Sequence, residues 1–144
     1  TRDVADRLGY YKPAAMHNRF LPGLEGPDSK MSASKPDSAI FTTDSPEDAR
    51  RKIMKSFSGG APSLKEHKAR GGNPDVDTAY QYLFNVFEES DEKIKEIYNA
   101  YKSGAMTTGE IKELLAKKVE AWLTEHQEKR EKAKKHLDKF MLKD

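Results

Sequence analysis

A mainly α protein, organised as a helical bundle, is what this sequence predicts, and three observations predict it. Charged residues make up 35% of the 144-residue chain and the hydrophobic set another 35%, a mix that favours helices over extended layers. Apolar residues recur at helical spacing through most of the chain beyond Ser45. Serine or threonine stands in front of those stripes, followed by proline or an acid as helix capping requires.

Thr1 to Gly9 reads as a short helix, with a capping threonine, Val4 and Leu8 four apart, and glycine as a stop. Ala14 to Leu21 carries Met16, Phe20 and Leu21 before Pro22; helix and strand templates fit it about equally, and a short strand is the expectation. Ser45, Pro46 and Asp48 open a helix with Ala49, Ile53 and Phe57 on one face, expected to stop at Gly59 and Gly60. Arg50, Arg51, Lys52 and Lys55 on its other side read as a solvated face. Ser63 to Arg70 forms two turns, and Asn73 and Pro74 begin a helix whose stripe is Val76, Tyr80, Leu83, Phe84 and Phe87. Ser90 caps the next, with Ile94, Ile97, Tyr98 and Tyr101 inward. Thr107 and Glu110 form a capping box for the longest element, Ile111 to about Met141, roughly 45 Å at 1.5 Å per residue. Its stripe is Ile111, Leu115, Val119, Trp122 and His126, thinning to Ala133, Leu137 and Phe140, with His126 expected to be a hydrogen-bonded core histidine and Trp122 a core anchor. The basic cluster Lys129, Arg130, Lys132, Lys134 and Lys135 is compatible with solvation or with RNA.

The absence of cysteine excludes disulfides and thiolate metal sites. No apolar run approaches the roughly 20 residues of a membrane span and no signal-peptide pattern opens the chain, so a soluble cytoplasmic protein is expected. Net charge is only +2, which leaves any electrostatic argument to local clusters. Thr1 is not an initiator methionine and already lies in a helical pattern, so a piece of something longer is expected.

The stretch with the most chemistry is Asp28 to Pro36, where Lys30, Ser32, Ser34 and Lys35 follow a Gly/Pro loop. Lysines supply point charges, and hydroxyls with backbone N–H groups form a nest for phosphate oxygens. Read bare, such a segment is more often a solvated turn than a catalytic element.

Lys30 to Ser34 resembles the Lys-Met-Ser-Lys-Ser signature of class I aminoacyl-tRNA synthetases, with alanine fourth. Thr1–Gly9, Phe20–Leu24, Ile40–Asp44, Phe57–Gly60, Gly71–Asp77 and Ser103–Glu110 resemble, in order, the tryptophanyl-tRNA synthetases of the archaeal and eukaryotic type. The resemblance implies that residues 1–42 are the end of an α/β nucleotide-binding domain carrying the loop, and residues 43–144 a helical anticodon-binding domain. It implies ATP, with Mg²⁺ accompanying it, as the nucleotide. L-tryptophan and tRNA-Trp are the implied partners, and the full-length protein is implied to be a homodimer. Lys30, Ser32 and Ser34 take the catalytic role, with Met31 and Ala33 completing the ATP loop, and Lys112 the contact to an anticodon base. Ala33 removes the second lysine of the signature, and Lys35 compensates only if turned inward. Neither the His-Ile-Gly-His type motif nor the amino-acid pocket is visible, and no metal ligand set is assigned, so the chain alone is expected not to form adenylate. Two other classes stay open: a non-catalytic helical RNA-binding module and an oligomerisation bundle. The equivalent part of a tyrosyl-tRNA synthetase is the nearest rival within the first class.

Overall fold

Helix capping chemistry sets where the regular structure starts. The computed structural model describes residues 1–137, and its helices are α1 (Arg2–Ala5), α2 (Pro46–Lys55), α3 (Leu64–Arg70), α4 (Thr78–Tyr82), α5 (Asp91–Ser103) and α6 (Thr108–Lys134). The side chains of Ser45, Ser63, Asp77, Ser90 and Thr107 each accept the N–H three residues on, at the heads of α2 to α6. At α6 the box is reciprocal, because the Glu110 carboxylate also accepts the Thr107 N–H at 2.7 Å. Each cap contributes about 1 kcal/mol.

The core runs along α6. Ile111, Leu115, Ala116, Val119 and Leu123 are fully buried, facing Ala49 and Ile53 of α2, Ala79 and Leu83, and Ile94, Ile97 and Tyr101 of α5. Arg50 of α2 bonds both Glu113 and Glu120 of α6, so the faces expected to be solvated are partly cross-linked. Lys52 goes further inward: it is buried and donates to Asp44 at 2.7 Å and to the Ala39 carbonyl at 3.2 Å.

Several expectations are corrected. Ala14 to Leu21 is not a strand, and no strand occurs among the described residues. A β ladder needs a partner, and none is present, so Met16 and Phe20 stand 89% and 66% exposed on an irregular segment. The α/β part of the expected fold is therefore not seen as a sheet. Helix α2 stops at Lys55 rather than at Gly59, because Ser56 turns extended and its hydroxyl donates back to the Ile53 carbonyl at 2.8 Å. Asp77, not Asn73, caps α4, and a π turn at Leu83–Phe87 widens the helix and rotates Phe84 out to solvent. In α6, Leu123 takes the core position expected for Trp122, which is 43% exposed. His126 is not a core histidine; its ring stacks on Trp122 at 5.1 Å between centroids. α6 ends at Lys134, its last residues are exposed, and Phe140 and Met141 lie outside the described residues.

Tyr80, Tyr82 and Tyr101 are buried phenols, and burial acts most strongly on Tyr82 and Tyr101. The Tyr82 hydroxyl donates to the Pro22 carbonyl at 3.0 Å, and burial pushes both pKa values up to about 12. In the unfolded chain phenols ionise near 10, so folding retains protons that unfolding releases. The stability these groups contribute is complete below about pH 10 and is lost as pH rises from about 10 to about 12. Urea unfolding followed across that range is expected to show a falling midpoint, on the order of 2 kcal/mol per tyrosine, with a shallower fall in Tyr82→Phe. An unchanged midpoint through that range would contradict the burial assigned to both rings.

Candidate functional site

The Lys30–Ser34 loop is built on a tight neck. The Gly23 N–H donates to the Ser29 carbonyl at 3.0 Å and the Leu24 N–H to the Ser38 carbonyl at 2.8 Å, which brings the two ends of the loop together. A Cβ on Gly23 would meet Ser29 Oγ at 2.9 Å and the Ser38 carbonyl at 3.0 Å, so only glycine fits there without a shift. Below the neck, the Leu24 carbonyl accepts the Phe57 N–H at 2.8 Å and anchors the loop to the end of α2.

Within the loop, Ser32 Oγ and Ser34 Oγ are 2.8 Å apart, while Lys30 and Lys35 are exposed. The structure thus brings the two hydroxyls together and leaves the ammonium groups in solvent. Met31 is half-buried and packs on the core. The Ile40–Asp44 block also has a local explanation: Asp44 Oδ2 accepts the Phe41 N–H at 2.9 Å and the Lys52 ammonium at 2.7 Å.

A second feature lies where the first turns of α3 and α6 meet. A cavity of about 240 Å³ is lined by Ala61, Pro62, Ser63, Leu64, His67, Thr107, Thr108 and Gly109. Thr108 connects this cavity to a network of polar side chains. The Tyr101 hydroxyl donates to Asp77 at 2.8 Å and lies 3.2 Å from Ser58 Oγ and 3.1 Å from Thr108 Oγ1. Asp77 is fully buried and also accepts the N–H groups of Gly59 and Tyr80. His67 Nε2 faces the Met106 carbonyl at 2.9 Å, so that nitrogen carries the proton and Nδ1 accepts the Ala61 N–H. A Cβ on Gly60 would come within 2.2 Å of Thr108 Oγ1, which confines that position to glycine.

Lys112 lies in the first turns of α6 but points inward. Its side chain is buried, with Nζ donating to the Ser56 carbonyl at 2.6 Å and the Met54 carbonyl at 3.1 Å. Burial pushes its pKa below that of an ordinary lysine, partly offset by the Asp77 charge. The ammonium therefore caps the carbonyl end of α2. The residues sequence reasoning did not single out are Ser38, His67, Asp77 and Thr108. Asp77, Ser58 and Thr108 sit inside the Gly71–Asp77, Phe57–Gly60 and Ser103–Glu110 blocks, but nothing in those short runs shows that they converge on one buried phenol.

Comparison with known proteins adds the following. The family model described as tRNA synthetases class I (W and Y) matches residues 1–124. A Tryptophan--tRNA ligase of Sulfurisphaera tokodaii is 51% identical over 140 residues, which are 96% of this chain and 37% of that protein. The crystal structure of tryptophanyl-tRNA synthetase from Aeropyrum pernix superposes with a TM-score of 0.84 at 38% identity, over 93% of this chain and 37% of that one. The tyrosyl-tRNA synthetase of the same organism gives 0.67 at 27% identity, over 87% of this chain and 38% of that one. The chain thus spans little more than a third of the length of the relatives it matches.

Replacing Asp77 by alanine removes an acceptor from three donors, two of them buried, and is expected to cost about 3 kcal/mol, read as a lowered urea midpoint. Asp77→Asn, which keeps the volume and one acceptor, is expected to cost less. Equal stability of the alanine variant and the parent would remove the network from its structural role.

Proposed function

This chain belongs to the class I tRNA synthetases for tryptophan and tyrosine, and on that premise we propose that it is the carboxy-terminal part of a tryptophan--tRNA ligase. Tryptophan is favoured over tyrosine by the 51% identity to tryptophan ligases and by the higher TM-score of the tryptophanyl enzyme. The structural observation that carries the catalytic part of the reading is the loop itself: two paired hydroxyls and two exposed ammonium groups held outward on a glycine neck.

The reaction has two steps. The tryptophan carboxylate attacks the α-phosphorus of ATP to give the adenylate and pyrophosphate, and a 3′-terminal hydroxyl of tRNA-Trp then attacks the adenylate's carbonyl carbon, taking the aminoacyl group and releasing AMP. Because the carboxylate is itself the nucleophile, the protein supplies position and charge. Lys30 meets the negative charge that builds on the departing pyrophosphate, and Ser32 and Ser34 donate to its oxygens. Met31 and Ala33 hold the backbone against the nucleotide. With alanine at position 33 the second ammonium of the usual signature is missing, and Lys35 on the outer rim is the nearest replacement in sequence. The donor set of lysines and hydroxyls suits phosphate oxygens and not a metal. No three His, Asp or Glu side chains gather to hold an ion among the described residues, so Mg²⁺ enters with the triphosphate as its ligand.

Residues 1–42 carry the nucleotide loop and residues 43–144 the RNA-recognition part in this reading. The cavity between the heads of α3 and α6 takes an unstacked anticodon base, with helix N–H groups near its phosphate. Lys112 contributes to anticodon reading by holding Met54 and Ser56 against α6, which sets the course of the segment that leads into Ala61 and Pro62 at the cavity. The protein works in the cytoplasm as part of a homodimer, and among the described residues no helix is long and apolar enough to cross a membrane. Alone, this chain is not expected to catalyse pyrophosphate exchange.

The test is titration of the chain with transcripts of tRNA-Trp, an anticodon-altered tRNA-Trp and tRNA-Tyr at two salt concentrations. The expected outcome is a preference of roughly tenfold for the tryptophan anticodon, weakened in Lys112→Ala. Equal, salt-sensitive binding to all three would leave a basic helical surface and refute specific recognition.

A further inference from the structure

Ser38 is a serine that the sequence does not distinguish from its neighbours, yet it is fully buried beside the most exposed chemistry of the chain. Its Oγ accepts the Ser32 N–H at 3.0 Å and donates its single proton to the Lys35 carbonyl at 2.7 Å, with the Ser32 carbonyl 3.2 Å away. The Ser38 N–H in turn donates to the Lys35 carbonyl at 2.9 Å, and the Lys35 N–H to the Ser32 carbonyl at 3.1 Å. The Ser38 carbonyl accepts the Leu24 N–H, so this one residue also forms half of the loop's neck. All of its polar atoms are engaged with the loop, and none faces solvent.

We propose that Ser38 is the positioning residue of the Lys30–Ser34 loop: its buried hydroxyl holds residues 32–35 in one conformation, which presents Lys30, Ser32 and Ser34 outward at fixed spacing. Ser38 does not touch nucleotide. Removing its hydroxyl leaves the Ser32 N–H without its acceptor and the Lys35 carbonyl with one donor fewer, and the loop then samples other turns. This inference rests on the reading of Lys30–Ser34 as a nucleotide loop only for its consequence, not for the conformation.

Amide hydrogen exchange on the 144-residue chain tests the conformation directly. In the parent, the Ser32 and Lys35 amides are expected to be protected; in Ser38→Ala both are expected to exchange about tenfold faster, with α6 amides unchanged. Equal exchange at Ser32 and Lys35 in parent and variant would overturn the latch. If α6 also loses protection in the alanine variant, Ser38→Cys replaces it, since sulfur keeps a side chain in the space and bonds more weakly. A second arm reads the consequence: protection of Lys30 from an amine-modifying reagent by ATP, expected in the parent and reduced several-fold in the variant. Undiminished protection alongside faster exchange would refute the positioning role. Absence of protection in the parent would refute nucleotide binding by the loop, while the exchange data still decide whether Ser38 holds it.

Discussion

The fold hangs on one buried carboxylate. Asp77 has no exposed surface and accepts three donors, from Gly59, Tyr80 and the Tyr101 hydroxyl, which belong to three separate parts of the chain. A carboxylate in that position is costly unless every acceptor site is filled, so the segments that fill it are obliged to meet. The consequence is geometric. The 58–60 segment, the head of α4 and the last turn of α5 are brought to a single point, and Thr108 at the start of α6 joins them through the same phenol. The helical bundle is therefore pinned at its polar centre as well as packed along α6.

A second set of bonds ties α6 to the Lys30–Ser34 loop. Lys112 reaches from α6 to the carbonyl end of α2, the Phe57 N–H that follows donates to Leu24, and the Leu24 N–H donates to Ser38 at the neck of the signature loop. Every link is a backbone group or a buried side chain. Such a chain of bonds transmits position without requiring any switching element, and it has the cavity near Thr108 at one end and Lys30 at the other.

What could be read from the sequence was whatever is decided locally. Ser45, Ser63, Ser90 and Thr107 start helices because each hydroxyl bonds an amide three residues away, and that spacing is written in the chain. The stripe of Ile111, Leu115 and Val119 was equally legible. Misreadings came where tertiary partners decide. The Ala14–Leu21 segment has strand-like residues but, among the described residues, no strand to pair with, and the π turn at Leu83 shifts a phase that a fixed 3.6 period cannot follow. Trp122 and Leu123 are adjacent, and only the docking of α2 against α6 decides which of them is inward. In the candidate site the loop's composition was legible, but its latch was not, because a serine four residues past the signature looks like any other turn residue. Lys112 was singled out by position; its burial depends on the carbonyl end of a helix more than fifty residues earlier.

The missing lysine at position 33 is best understood together with the latch. On the proposed reading of Lys30–Ser34 as a nucleotide loop, stabilisation of the departing pyrophosphate would depend on where the Lys30 charge sits, since electrostatic stabilisation falls off with distance. Fixing the backbone at Ser32 and Lys35 restricts the conformations of the loop that carries Lys30, and on that reading the entropy of ordering would be met during folding instead of at the moment of reaction. The hydroxyl pair Ser32 and Ser34, already 2.8 Å apart, is ordered by the same device. On this argument Ala33 and Ser38 belong to one solution: fewer charges, held more firmly.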